Sequence, residues 1–199
     1  MYISKISIQS TWCRDTYQLH QALWQLFPDR ENDLRDFLFR VEARVPGKGC
    51  CVLLQSAHEP ISSSAAQVIA SKPVDYRLEA GKQLRFRLRA NPVKTIKDEQ
   101  KRMGRDGQIK RCRVPLCKPQ EQSQWLERKF FPAAKLLNVE TTAESPLFFS
   151  KKGQAGKIQP VNFEGLLLIT DSSMFMSLLR QGIGPAKAMG CGMLSLARA

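Results

Sequence analysis

The chain has 199 residues, 43% of them hydrophobic, enough for one large folded domain or two of about 80 to 100 residues, and too apolar for wholesale disorder. Its 31 Lys and Arg outnumber 18 Asp and Glu, a net charge of +13 that points to a polyanionic partner. No apolar run reaches the roughly 18 residues that cross a bilayer, and six cysteines without a CxxC pair, beside two histidines, fit neither a zinc site nor a disulfide framework, so a soluble cytoplasmic protein with free thiols, no metal and no small-molecule cofactor is expected.

Ile3, Ile6 and Ile8 mark a first strand, in an alternating start that lacks the layout of a signal peptide. Asp15 suits the cap of a helix running from about Thr16 to Phe27 and ended by Pro28. Phe37 to Val41 reads as a second strand, Val45 to Gly49 as a hairpin turn, and Cys51 to Gln55 as a third strand. Ser62 to Ala70 is expected to be a short helix and Val74 to Leu78 a fourth strand. That order, β-α-β-β-α-β, predicts a ferredoxin-like unit over residues 1–80.

The second half, residues 84–199, predicts another. Leu84 to Ala90 alternates apolar residues with arginine, and a basic stretch follows with a turn at Arg105, Asp106 and Gly107. A helix is expected over Gln120 to Phe131, with Trp125, Leu126 and Phe130 on one side. Phe148-Phe149 and Val161 to Ile169 read as strands separated by Gly153 to Gly156, and Asp171 caps a helix from Ser172 to Arg180. A loop with Gly182, Gly184, Gly190 and Gly192 then leads into a last strand, Met193 to Leu196. The fold class expected is α+β, with two tandem ferredoxin-like (RRM-like) domains joined near Glu79 to Gln83. No sequence repeat relates the halves, so the tandem rests on element order.

The charge is not evenly spread. Thirteen Lys and Arg lie between Lys82 and Lys118 against three acids, so +10 of the net +13 falls in this segment. An amphipathic apolar stripe, which an anionic membrane surface needs, does not accompany it, so nucleic acid is the partner favoured. Arg85, Arg87 and Arg89 alternate, which puts three guanidinium groups on one strand face. Lys94, Lys101, Arg102, Arg105, Lys110, Arg111 and Arg113 suit phosphate contacts along a duplex groove. No RNP1 motif for stacking single-stranded bases is present, so a structured hairpin is the expected ligand.

On the first helix, His20, Trp24 and Tyr17 share the flank of the face formed by Leu19, Leu23, Leu26 and Phe27. A lone histidine beside RNA is chemically sufficient for cleavage, because the 2′-hydroxyl is an internal nucleophile and imidazole titrates near neutrality. Tyr17 suits positioning of the nucleophile or a share in proton transfer. His58, before Pro60, has no such company. The glycine loop exposes backbone N–H groups around Lys187, but it follows a helix and precedes a strand, unlike a Walker loop. It reads as a scaffold that brings Lys187 to RNA or to the His20 helix.

Four segments together resemble the CasE-type CRISPR RNA-processing endoribonucleases of type I-E systems. They are Trp12-Cys13-Arg14-Asp15 leading to Tyr17-Gln18-Leu19-His20; Phe86 to Lys94; Gly156-Lys157-Ile158-Gln159 with Phe163-Glu164-Gly165; and the terminal glycine loop into Leu194-Ser195-Leu196. The resemblance implies tandem ferredoxin-like domains and metal-independent cutting of precursor CRISPR RNA on the 3′ side of a repeat hairpin. It implies 5′-hydroxyl and 2′,3′-cyclic phosphate or 3′-phosphate ends, and retention of the enzyme with its product among the other protein subunits of Cascade. The family histidine and tyrosine fall on His20 and Tyr17. Lys157 matches a family lysine, to which phosphate stabilisation is assigned, and Arg14 joins the RNA-binding set. A non-catalytic subunit that binds an RNA hairpin is the alternative, since it needs only the basic surface.

Overall fold

The computed structural model describes residues 1–28, 30, 34–98, 100–103, 107–151 and 154–199. Two four-stranded antiparallel sheets dominate it. The first holds β1 (Tyr2–Ile8), β2 (Phe37–Val45), β3 (Gly49–Ser56) and β4 (Ala66–Pro73) in the order β2-β3-β1-β4. The second holds β5 (Gln83–Ala90), β8 (Ala134–Ala143), β11 (Val161–Ile169) and β12 (Leu194–Arg198) in the order β12-β5-β11-β8. Ranked by position within each unit, both orders are 4-1-3-2, the ferredoxin-like arrangement.

Helix α1 (Thr16–Trp24) follows β1 and starts where the Asp15 carboxylate accepts from the Tyr17 and Gln18 N–H groups at 2.7 and 2.8 Å. Such a cap is worth about 1 kcal/mol. Leu19, Ala22 and Leu23 are buried against Ile6, Phe37, Phe39 and Leu54 of the sheet. The helix stops three residues short of the sequence expectation, and Leu26 and Phe27 enter the same core from the turn that follows.

The expected helix over Ser62 to Ala70 and strand over Val74 to Leu78 are corrected. Residues 57–65 form no regular element, β4 occupies Ala66–Pro73, and residues 74–79 form no strand. Ser62 and Ser63 hydroxyls accept from the Val68 and Ala66 N–H groups, at 3.0 and 3.2 Å, which favours a turn over a helix. Val68 and Ile69 then extend along β1, whose pairing with β4 carries a bulge between Lys5 and Ile6.

The second unit has the full βαββαβ order. Helices α2 (Pro119–Phe130) and α3 (Ser172–Gln181) pack Trp125, Leu126, Phe130, Phe175 and Leu179 onto Phe86, Leu88, Phe163 and Leu167 of the sheet. Two hairpins are inserted: β6 (Val93–Lys97) with β7 (Arg111–Pro115), and β9 (Leu147–Lys151) with β10 (Gln154–Ile158). The units meet where Arg40 of β2 donates to Ser195 Oγ of β12 at 2.9 Å and Gln55 Nε2 of β3 donates to the Leu179 carbonyl of α3 at 2.8 Å, and the loop before β12 packs on β2. Among the described residues no helix is long and apolar enough to cross a membrane.

Candidate active site

The inserted hairpins, α1 and the glycine loop enclose a cleft of about 1010 Å³. His20 comes from α1, Arg113 from β7, Lys157 from β10 and Lys187 from the glycine loop; Arg35, just before β2, completes the cationic lining. Among the described residues no carboxylate lines it. A cleft whose charges share one sign concentrates field and favours a phosphate.

His20 is half-buried, with its ring 5.7 Å from Phe37, 6.4 Å from Phe39 and 6.3 Å from Trp24 between ring centres. Its Nε2 is buried and has no hydrogen-bond partner. Burial, with the Arg35 charge adding to it, lowers the imidazole pKa from 6.5 to about 4. His20 is therefore neutral at pH 7, with an unsatisfied ring nitrogen. Lys187 is also pushed down, by burial first and then by Arg35 and Lys129, while its Nζ donates to the Gln181 carbonyl at 2.6 Å. Lys157 lies over the Phe148 ring at 5.6 Å, so an aromatic face steadies its charge without neutralising it. Phe149 also lines the cleft, and Gly156 has no side chain because a Cβ there would overlap that ring.

His20, Lys157 and Lys187, which are far apart in sequence, thus converge. Tyr17 lies one turn before His20, is 40% exposed, and is outside the cleft lining. Arg14 is exposed beside the start of α1 and is also outside it. His58 is exposed, 3.5 Å from Asp36, and outside the cleft lining.

The basic segment divides. In β6–β7, Arg113 pairs with Thr95, Arg111 with Lys97 and Pro115 with Val93, so Arg111 and Arg113 share the hairpin face that turns to the cleft. Lys101 and Lys110 are exposed toward the tip, and Arg105, with the turn expected there, lies outside the described residues. Lys94 pairs with Glu121 at 3.6 Å, and Arg102 forks onto Asp98 at 2.8 and 2.9 Å. That fork and its backbone bond hold the Asp98 pKa down at about 2.

On β5, the three arginines expected on one strand face differ in their partners. Arg85 is exposed, but it lies at a separate hollow beside Asn138 and Glu140. Arg87 bridges Glu164 at 3.1 Å and Glu42 at 3.6 Å. Arg89 is 8% exposed: it grips Glu144 through Nε and Nη2 at 2.8 Å, and its Nη1 donates to the Met189 and Gly190 carbonyls at 3.2 and 3.1 Å. Burial opposes the Arg89 charge, but Glu144 outweighs it and raises the pKa. The physical reason is tertiary: Glu144 and the glycine loop close over Arg89, and Glu42 of β2 and Glu164 of β11 draw in Arg87. Arg89 holds the glycine loop.

That loop is a fixed scaffold. Gly182, Gly184, Gly190 and Gly192 all take positive φ, between 74° and 92°. Gly190 shows why: it caps the 3-10 turn over Lys187–Met189, and a Cβ there would press on Phe39 at 3.1 Å and on Arg89. The turn packs against α1 and β2. Arg35 was the cleft residue the sequence did not single out; an isolated arginine between a helix and a strand carries no motif.

The comparisons with known proteins agree with this geometry. Residues 1–198 match the family model described as CRISPR associated protein. The chain is 56% identical over 197 residues to the CRISPR system Cascade subunit CasE of Escherichia coli strain K12, covering 99% of each chain. It is 34% identical over 202 residues to the CRISPR-associated endoribonuclease Cse3 of Thermus thermophilus, covering 91% of this chain and 89% of that one. Among solved structures, the crystal structure of Cas6e from E. coli K-12 superposes with a TM-score of 0.88 at 54% identity, covering all of both chains. Cse3 bound to a 19-nucleotide RNA superposes with a TM-score of 0.78 at 31% identity, covering 99% of this chain and 100% of that one. The chain belongs to the CRISPR-associated protein family that contains CasE and Cse3.

Proposed function

We propose that this protein is a cytoplasmic, metal-independent endoribonuclease that cuts precursor CRISPR RNA on the 3′ side of the repeat hairpin and stays on the product as a Cascade subunit. The observation that carries the reading is the neutral His20, with a free Nε2, in a cleft that the described residues line with four cations and no carboxylate. The endoribonuclease name of the Thermus relative and its RNA-bound structure support it.

The 2′-oxygen attacks phosphorus while the bond from phosphorus to the 5′-oxygen breaks. His20 takes the 2′ proton, and a solvent water molecule gives a proton to the 5′-oxygen, which completes a 2′,3′-cyclic phosphate and a 5′-hydroxyl. Lys157 and Lys187 stabilise the phosphorane charge. Tyr17 reaches the nucleophile by a change of rotamer from its exposed position, and Arg111 and Arg113 hold the stem phosphates beside the cleft. A bound phosphate adds negative charge near His20 and draws its pKa back toward neutrality.

Incubation of repeat RNA with excess EDTA tests this. Wild type cuts, and His20→Ala loses about a hundred- to ten-thousand-fold in single-turnover rate. RNA with 2′-deoxyribose at the cut site binds and stays intact. Undiminished cutting by the variant removes His20 from the mechanism. Wild-type binding without any cutting leaves a hairpin-binding subunit in its place.

A further inference from the structure

Arg35 lines two hollows. Besides the His20 cleft, it borders a cavity of about 440 Å³ walled by Phe37 and Leu38 of β2, Gln55 and Ser56 of β3, and Arg180 and Gln181 of α3. The two hollows share a second wall, because the Gln181 carbonyl accepts the Lys187 ammonium. Neither Arg35 nor Arg180 has an ion pair among the described residues. The carboxylate in the second cavity, Asp36, is already held by Arg30 at 2.8 Å. Gln55, which is 4% exposed, donates to the Leu179 carbonyl and keeps its Oε1 without a partner. A buried acceptor without a donor is costly, and such a group in a cavity wall marks a place for a ligand with N–H or O–H groups.

The second cavity offers what a nucleotide uses: two guanidinium groups for a phosphate, and two buried acceptors without partners, Gln55 Oε1 and Asp36 Oδ1, for sugar hydroxyl or base N–H groups. Its volume suits a ligand of about one nucleotide rather than a duplex. Hairpin β6–β7 lines the first hollow and not the second. A strand that enters past Arg113 and Lys157 and leaves past Arg35 therefore arrives at Arg180. We infer that the cavity between Arg35 and Arg180 holds the single-stranded RNA that continues 3′ beyond the scissile phosphate. This rests on the endoribonuclease reading, which puts the stem on the 5′ side of the cut and on β6–β7. The site gives the enzyme a grip on the strand it releases, separate from its grip on the hairpin.

Two RNAs with the same stem, each with 2′-deoxyribose at the cut site, test it. One ends a single nucleotide beyond the cut; the other runs four nucleotides further. Wild type is expected to bind the longer RNA about fivefold more tightly or better. The salt dependence steepens by roughly 0.7 in log–log slope for each added phosphate contact. Arg180→Ala, on the exposed end of a helix where folding is not at stake, brings the affinity ratio and the slope difference down toward those of the short RNA. Arg35→Ala does the same, and Arg35→Lys restores most of the ratio. Equal wild-type affinity for the two RNAs overturns the inference, as does a ratio that Arg180→Ala leaves intact. Unmodified RNA in the same wild-type preparation separates the readings. Cutting with a ratio of one refutes only the downstream site, and a ratio without cutting refutes only the enzymatic reading.

Discussion

At the scale of the residue, burial decides what His20 does. An imidazole on the open flank of a helix titrates near 6.5, but three aromatic rings and Arg35 bring this one to about 4. The lowered pKa also makes His20 a stability term. Between pH 6.5 and pH 4 the unfolded chain binds a proton there and the folded chain does not. Stability is therefore lost as pH falls through that window and levels off below it. Because the cleft admits solvent, the loss is on the order of 2 kcal/mol, less than the full linkage of the shift. Urea unfolding of wild type and His20→Gln at pH 7 and pH 4 checks this: the variant, lacking the titrating group, should gain on wild type at pH 4. An equal stability difference at the two pH values sinks the assignment. Sequence placed His20 on the right flank, because helical spacing is local. It did not give the ring its neighbours, since Phe37 and Phe39 arrive from β2. Burial also pushes Cys50, which packs beside Cys13, up to about 12, so that thiol is not a nucleophile at neutral pH.

At the scale of the element, the same residue pattern has two outcomes on β5. Arg85, Arg87 and Arg89 alternate correctly, and the strand is where periodicity put it. What alternation leaves open is whether a strand face meets solvent or another part of the chain. Arg89 meets the glycine loop and Glu144, so its role is to fix Lys187 beside His20 through the carbonyls of Met189 and Gly190. Arg89→Ala leaves Glu144 without its partner and the loop without its clamp. The expected cost is about 3 kcal/mol, at the lower end for a buried pair because Glu144 keeps some exposure. Chemical denaturation checks it, and cleavage should fall further than the unfolded fraction explains. A variant with wild-type stability and rate would show that the loop holds itself. The segment 62–73 teaches the complementary point. The expectation over Ser62 to Ala70 is a helix, yet the serine side-chain bonds favour a turn and edge pairing to β1 favours a strand from Ala66.

At the scale of the molecule, the +13 charge matters by where the fold exposes it. Of the basic segment, Lys94 and Arg102 are spent on Glu121 and Asp98, and Arg87 and Arg89 on acids at the seam between the units. Arg111 and Arg113 remain exposed on the hairpin face toward the cleft. Arg111→Ala and Arg113→Ala should weaken hairpin binding and flatten its salt dependence by roughly 0.7 to 0.9 in slope for each phosphate contact removed. Affinities measured from low to high salt check it, and unchanged slopes would move the RNA surface off β6–β7. By itself the sequence determined the local facts: most strands and the three α-helices of the described residues by periodicity and caps, and the basic segment by composition, while its motifs marked His20, Tyr17 and Lys157 as candidates. These depend on residues within a few positions of one another. Only the tertiary structure decided that Lys157, Lys187 and Arg35 share a cleft with His20 while Tyr17 stands at its edge, and which arginines are free. Convergence and exposure depend on how one unit packs on the other, through contacts between residues as far apart as Arg40 and Ser195, and no local pattern encodes them.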